Sequence, residues 1–199
     1  GVTGVSLWMY GPTSYATLKP VRTLGDFKGR KFRVLATNVE VEIMKRLGAT
    51  GVPMPYSETQ PALQRGMIDG VRSNITVMNA TKHHTVAKFI TVVNDTYIPC
   101  AGFVSMAWLK TLPKGLQKAV RDAGREVEDF MYKTSQDFGS RAEDGWRKAG
   151  AEVIRLSASD QKKFMDTVKP IGDDILGKKA YVKEMFELMK KTSLKYAGS

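Results

Sequence analysis

The sequence predicts an α/β fold, and three observations carry the prediction. Across the first half, short runs rich in Val, Ile, Tyr and Thr alternate with short helical patterns. From Pro113 to about Gly150 a single three-to-four-residue apolar periodicity takes over. Residues 151–199 then return to one strand followed by helices.

Taken in order, residues 2–10 alternate loosely and end in "YGPTS", which reads as a turn. "PVRTLGDFKG" (20–29) reads as a loop with a short helical turn, and residues 31–35 as a strand. "NVEVEIMKRLGA" (38–49) sets Val41, Ile43, Met44 and Leu47 on one helical stripe, with Gly48 as its stop. "GVPMP" (51–55) is extended. In "SETQPALQRGMIDG" (57–70), Ser57 and Gln60 have capping-box spacing, Pro61 falls in the first turn, Ala62 and Leu63 face inward, and Gly66 ends the helix. Residues 68–73 form another strand, and 75–85 a helix. "VAKFITVVN" (86–94) and "TYIPCAGFVSM" (96–106) are two more strand-rich stretches. The long periodic segment holds Leu116, Val127, Phe130, Ala142 and Trp146 on its apolar stripe, with Gly124, Gly139 and Gly145 as bend points. A helix of that length exceeds the needs of one small domain and reads as a strut crossing two lobes. "AEVIRL" (151–156) is a strand, "SASDQKKFMDTVKP" (157–170) a capped helix, and 181–197 a final amphipathic helix.

Composition bounds the function. The 199 residues carry a formal charge of +11, with 42% hydrophobic and 26% charged residues. No apolar run approaches the roughly 20 residues that span a bilayer. Such a charge suits nucleic acid, an anionic surface or small anions. Apart from residues 28–33, however, the basic residues come in ones and twos (Lys162-Lys163, Lys178-Lys179, Lys190-Lys191), mostly beside acidic neighbours. No arginine-rich arm or aromatic RNA-binding motif accompanies them, so no nucleic-acid partner is predicted. The single cysteine, Cys100, excludes an intramolecular disulfide and a cysteine-based zinc site; in "YIPCAGFVSM" it reads as an inert buried thiol. His83 and His84 are adjacent, point about 100° apart on a helix and read as helix-surface residues. No metal and no cofactor is expected. The carboxylate groups at Glu126/Glu128/Asp129 and Asp173-Asp174 lie on polar helix faces, and no nucleophile stands beside a base. The chain does not read as an enzyme.

A binding site reads better. Arg33 on a strand, Asn38 at a helix start, Tyr56 before a helix, and Ser73 and Asn74 at the end of a strand all fall where α/β proteins gather ligand contacts. A guanidinium suits a carboxylate because its planar fork gives two parallel charge-assisted hydrogen bonds. Alternation alone leaves two options for Arg33, inward toward a ligand or outward as part of the basic run.

"DFKGRKFRV" followed by "LGATGVPMPYSETQPALQRGMIDGVRSN" resembles the tripartite (TRAP) transporter solute-binding proteins of the DctP family. "VNDTYIPCAGFVSMAWLKTLPKGLQKAV" and "GVSLWMYGPTSYATLKPVRT" extend the likeness over most of residues 1–150. The resemblance implies a periplasmic-binding-protein-like receptor with two lobes and a long helix spanning both. Such a receptor binds a small organic acid in the periplasm and hands it to the membrane permease subunits of a TRAP transporter. It implies that Arg33 grips the ligand carboxylate, that Tyr56 packs on the ligand, and that Thr37, Ser73 and Asn74 line the site, with Trp8 of the opening segment beside them. The departures are Thr13 where the family often has a second arginine, Arg72 in place of an acidic residue, and Ser73 in place of asparagine. The class of ligand is therefore implied, and the particular acid is not. The family's chains carry a preceding segment, so the expectation is a fragment with an incomplete N-terminal lobe. Residues 1–95 would then be mostly the ligand-binding lobe, 96–112 a crossing strand, 113–150 the spanning helix and 151–199 a packing tail. The crossing strand would present an unpaired edge, giving a dimer or swapped assembly. The runner-up reading is a basic protein for nucleic acid or anionic surfaces, with an α/β enzyme behind it.

Overall fold

The computed structural model describes residues 1–176 and 180–196; the Lys178-Lys179 pair and the end of the last expected helix lie outside them. Six strands form one mixed sheet: β1 Val2–Thr17, β2 Lys31–Val34, β3 Thr50–Pro53, β4 Gly70–Asn74, β5 Phe89–Ser105 and β6 Glu152–Arg155, in the order β3-β2-β4-β1-β5-β6. The helices are α1 Asn38–Arg46, α2 Thr59–Gln64, α3 Ile75–Ala80, α4 Met106–Thr111, α5 Lys114–Lys148, α6 Ala158–Val168, α7 Ile171–Leu176 and α8 Ala180–Tyr196. β2 runs parallel to β3 and β4, β5 runs parallel to β6, and β1 is antiparallel to both β4 and β5. The α/β class is as expected.

Both faces of the sheet are covered, and this decides where each strand residue goes. Phe32 and Val34 join Tyr15, Phe27, Met44 and Phe164 in one core, with Tyr15 edge-on to Phe27 at 5.0 Å between ring centres. Val71, Leu63, Met78, Ile90 and Trp146 form the other core. Strand alternation places Arg33, between Phe32 and Val34, on the face of this second core. Arg33 is 4% exposed, so the outward option is excluded.

Several local expectations change. "YGPTS" is no turn: β1 runs through it with register shifts around Pro12, where Gly11 has φ +117°. A bulge admits both residues, because glycine takes that backbone at little cost and the ladder is already interrupted on either side of Pro12. The two stretches 86–94 and 96–106 are a single strand, β5, carried through Asn94 at φ +56°. The Ser57–Gln60 capping box does not form; residues 56–58 make a 3-10 turn, and the Gln60 amide donates to the Thr81 carbonyl instead. The expected helix 75–85 breaks at Lys82, φ +57°, into α3 and a 3-10 turn at His83–Thr85. Helices α4 and α7 are additional to the elements expected from the sequence.

Beyond Pro12 and Tyr97, β1 and β5 continue as a two-stranded ribbon that pairs with no further strand among the described residues, while the Leu7 N–H of β1 donates to the Glu128 carboxylate of α5 at 2.6 Å. Helix α5, about 50 Å long at 1.5 Å per residue, packs along this ribbon and the sheet. Two of its glycines, Gly124 and Gly145, serve close approach, whereas Gly139 has open space at its Cβ position. A Cβ on Gly124 would sit on the Val5 carbonyl oxygen, and one on Gly145 would meet the Asn79 side chain. Of its expected stripe, Ala142 and Trp146 are buried, whereas Leu116, Val127 and Phe130 are exposed, the last by 56%. Periodicity marks an apolar face without saying what covers it.

Candidate functional site

The carboxyl ends of β2 and β4 open, with Tyr10 and Thr13 of β1 and Ile98 and Cys100 of β5, onto a cavity of about 280 Å³. Arg33 enters it from β2. Its Nε donates to the Met54 carbonyl at 3.1 Å, and its guanidinium carbon lies 5.2 Å from the centre of the Tyr56 ring. These two contacts fix the fork. Its two terminal nitrogens have no hydrogen-bond partner among the described residues. Burial lowers the pKa of Arg33 from its ordinary value, while Tyr56 and the Glu40 carboxylate act to raise it. A desolvated cation with free donors beside an open cavity is a site for an anion.

Tyr56 is held from behind. Its hydroxyl lies 3.1 Å from the Thr81 hydroxyl, and its ring lies 5.2 Å from that of His83. His83 is 1% exposed, contrary to the helix-surface expectation; the break at Lys82 turns it inward. Its Nε2 is 2.8 Å from the Thr59 hydroxyl, which itself donates to the Tyr56 carbonyl at 2.7 Å. The Thr59 proton being engaged there, His83 Nε2 is the donor to Thr59. Burial first, then the charge of Arg33 and of His84, press the imidazole pKa down to about 4. The ring is neutral at ordinary pH.

On β4, Asn74 is used at both ends of its amide. Its Oδ1 accepts from the backbone of Thr76 at 2.8 Å and Val77 at 3.4 Å, capping α3. Its Nδ2 donates to the carbonyls of Tyr10 and Pro12, which pins the β1 bulge to the cavity wall. Ser73 lines the cavity beside Tyr56; burial raises the Tyr56 pKa, and Thr81, Arg33 and Ser73 act in the opposite direction. Thr37 is exposed, caps α1 by accepting from the Glu40 amide at 3.2 Å, and lies outside the cavity lining. Trp8 also lies outside the lining, register-paired with the cavity residue Cys100, its buried indole N–H without a partner. Cys100 is half-buried rather than buried, and desolvation raises its pKa.

Sequence reading missed a buried charge cluster on the same wall. Arg72 is 2% exposed, and all three of its nitrogens are bonded. Its Nε donates to the Tyr15 hydroxyl at 3.0 Å, Nη1 to Glu40, and Nη2 to Asp95 at 2.6 Å and Thr96 at 3.1 Å. Burial works against the Arg72 charge, but Tyr15, Asp95 and Glu40 outweigh it and raise its pKa far above the ordinary value. Thr13, on the same wall, donates to Asp95. Of the two guanidiniums on the cavity, only Arg33 therefore offers free nitrogens. A larger, more open hollow of about 730 Å³ lies against α5; its arginine, Arg155, is paired with Glu143 at 2.7 Å. Among the described residues, no group of His, Cys, Asp and Glu is placed to hold a metal ion.

A doubly covered mixed sheet with a free guanidinium at its strand ends, and two long strands leaving it beside a long helix, is an α/β architecture suited to holding a small anion. The family of bacterial extracellular solute-binding proteins, family 7 (DctP), matches residues 1–179, and the chain belongs to it. The C4-dicarboxylate-binding periplasmic protein DctP of Rhodobacter capsulatus is 27% identical over 176 residues, covering 88% of this chain and 53% of that protein. The 2,3-diketo-L-gulonate-binding periplasmic protein YiaO of Escherichia coli K12 is 29% identical over 149 residues, 75% of this chain and 45% of that one. The chain thus spans about half the length of the curated relatives it matches. A TRAP periplasmic solute-binding protein of Xanthobacter autotrophicus Py2, solved with bound β-D-galacturonate, superposes with a TM-score of 0.84 at 27% identity, over 96% of this chain and 63% of that one. The periplasmic ectoine-binding protein of the TeaABC TRAP transporter of Halomonas elongata shares the fold with a TM-score of 0.88 at 20% identity, over 98% and 65%. The fold is that of the two-lobed TRAP solute-binding proteins, of which the chain matches about two-thirds.

Proposed function

We propose that this chain is the carboxylate-gripping part of an extracytoplasmic solute receptor. It binds a small organic acid and delivers it to the membrane permease subunits of a TRAP transporter. The observation that carries this reading is Arg33: buried, fixed by Met54 and Tyr56, and carrying two unpartnered terminal nitrogens beside a cavity. Tyr56 and Ser73 supply hydroxyls alongside it, while Asn74 shapes the wall. Thr37 acts through α1, and Trp8 packs on the ribbon opposite Cys100. The names of relatives support the ligand class and a periplasmic location, and no helix among the described residues is long and apolar enough to cross a membrane. The role is binding and transfer, without turnover of the acid.

The division into a ligand lobe (1–95), a crossing strand (96–112), a spanning helix (113–150) and a packing tail (151–199) belongs to the same reading. So does self-association through the part of the ribbon edge that neither a further strand nor α5 covers, since exposed strand edges invite pairing. Light scattering across micromolar concentrations is expected to show a concentration-dependent dimer, and a strict monomer would remove that part. For the ligand, calorimetry with a panel of mono- and dicarboxylates is expected to find a binder whose affinity disappears in Arg33→Ala. Arg33→Lys is expected to weaken it by losing the bidentate geometry. Equal affinity in wild type and Arg33→Ala would refute the assignment.

A further inference from the structure

The cavity wall opposite in charge to Arg33 narrows the ligand class. Glu40 is 8% exposed and lines the same cavity, and its charge acts on Arg33. Its Oε1 accepts from Arg72, but its Oε2 is buried with no partner among the described residues. A buried carboxylate oxygen left unpaired costs free energy that a ligand donor recovers on binding. The cluster behind it holds one guanidinium, Arg72, against two carboxylates, Glu40 and Asp95, so this wall is net negative. Arg33 alone faces the ligand as an available cation.

Resting on the carboxylate reading above, we infer that the site selects a monocarboxylic acid carrying a hydrogen-bond donor, a hydroxyl or an ammonium, and rejects dicarboxylates. Arg33 takes the carboxylate, and the Glu40 carboxylate lining the same cavity accepts from the donor. A second carboxylate in that place would meet a like charge with no free cation to neutralise it, and repulsion of this kind is how a site discriminates between similar ligands. The cavity, about 280 Å³, is at the small end for ligand sites and suits acids of a few carbons. Glu40 is thereby a specificity-determining residue, placed in the first turn of α1 by the Thr37 cap.

The test is a ¹⁵N NMR titration of the 199-residue chain with butyrate, 3-hydroxybutyrate, 3-aminobutyrate and succinate. It reads millimolar affinities and reports the fold in the same spectra. In wild type, one or both donor-bearing acids are expected to bind about tenfold or more tighter than butyrate, with succinate weakest; the two donor arms show which group Glu40 takes. In Glu40→Gln, which keeps a carbonyl for Arg72 but offers an amide N–H₂ to the ligand, that preference is expected to collapse and succinate to gain. Should Glu40→Gln fail to fold, the wild-type ranking still decides. Succinate binding best, or no discrimination among acids that all require Arg33, would overturn the inference while leaving the carboxylate site standing. Binding of none of the acids would bring down both.

Discussion

Replacing Arg72 by leucine tests whether the buried charge cluster is built as described. The substitution removes a 2%-exposed guanidinium and leaves the carboxylates of Glu40 and Asp95 facing each other, along with a Tyr15 hydroxyl that has lost its donor. Breaking a buried pair from one side costs about 3–5 kcal/mol, because the remaining charge is uncompensated. With a urea m-value of about 2.5 kcal/mol/M, the unfolding midpoint falls by roughly 1.2–2 M. Equilibrium urea denaturation followed by tryptophan fluorescence suits the assay, since Trp146 is buried in the opposite core. Adding Glu40→Gln and Asp95→Asn to Arg72→Leu is expected to return much of the loss, because the like charges are then gone. A single Arg72→Leu variant within about 0.5 kcal/mol of wild type, the range of ordinary surface changes, would refute the cluster.

Two further outcomes follow from packing and titration. Gly124→Ala is expected to destabilise by about 1–3 kcal/mol, since the added methyl collides with the Val5 carbonyl. Gly139→Ala, in the same helix with nothing near its Cβ position, is expected to stabilise by roughly 0.5–1 kcal/mol, and thermal melts of the pair separate close approach from helix propensity. His83 has its folded pKa, about 4, below its unfolded value of about 6.5, so the unfolded chain binds the extra proton between those values. Stability from this residue is present above about pH 6.5 and falls as pH drops toward 4, by on the order of 2 kcal/mol. The charged groups near the ring, Arg33 and His84, both oppose protonation. A His83→Gln variant that loses stability over that window as steeply as wild type would contradict the assignment.

What was legible in the chain was local. The alternation of Phe32 and Val34 marks β2; the stripe Ile43, Met44, Leu47 with Gly48 at φ +73° marks α1 and its end; the long periodicity marks α5 within a residue or two of each end. Arg33 stood out because a guanidinium on an apolar strand is costly unless it has a purpose. Its direction was not legible, because alternation assigns a face and only tertiary packing shows that both faces are covered. The Glu40–Arg72–Asp95 cluster was invisible for a similar reason: its members lie 32 and 23 residues apart, and only the sheet register brings them together. Tyr15 opposite Arg72 in the β1–β4 pairing completes it, a contact that composition and periodicity do not encode. His83 shows the same limit in reverse, since helix periodicity put it on a surface and a single left-handed residue, Lys82, turned it into the core. "YGPTS" carried turn residues that a bulge uses equally well.

The measurement closest to the centre of this account is a crystal structure of the chain with an organic acid bound. The account predicts the acid's carboxylate within about 3 Å of both terminal nitrogens of Arg33, with Nε still on the Met54 carbonyl and the Tyr56 ring still stacked. An acid seated elsewhere, with Arg33 left unoccupied, would contradict it.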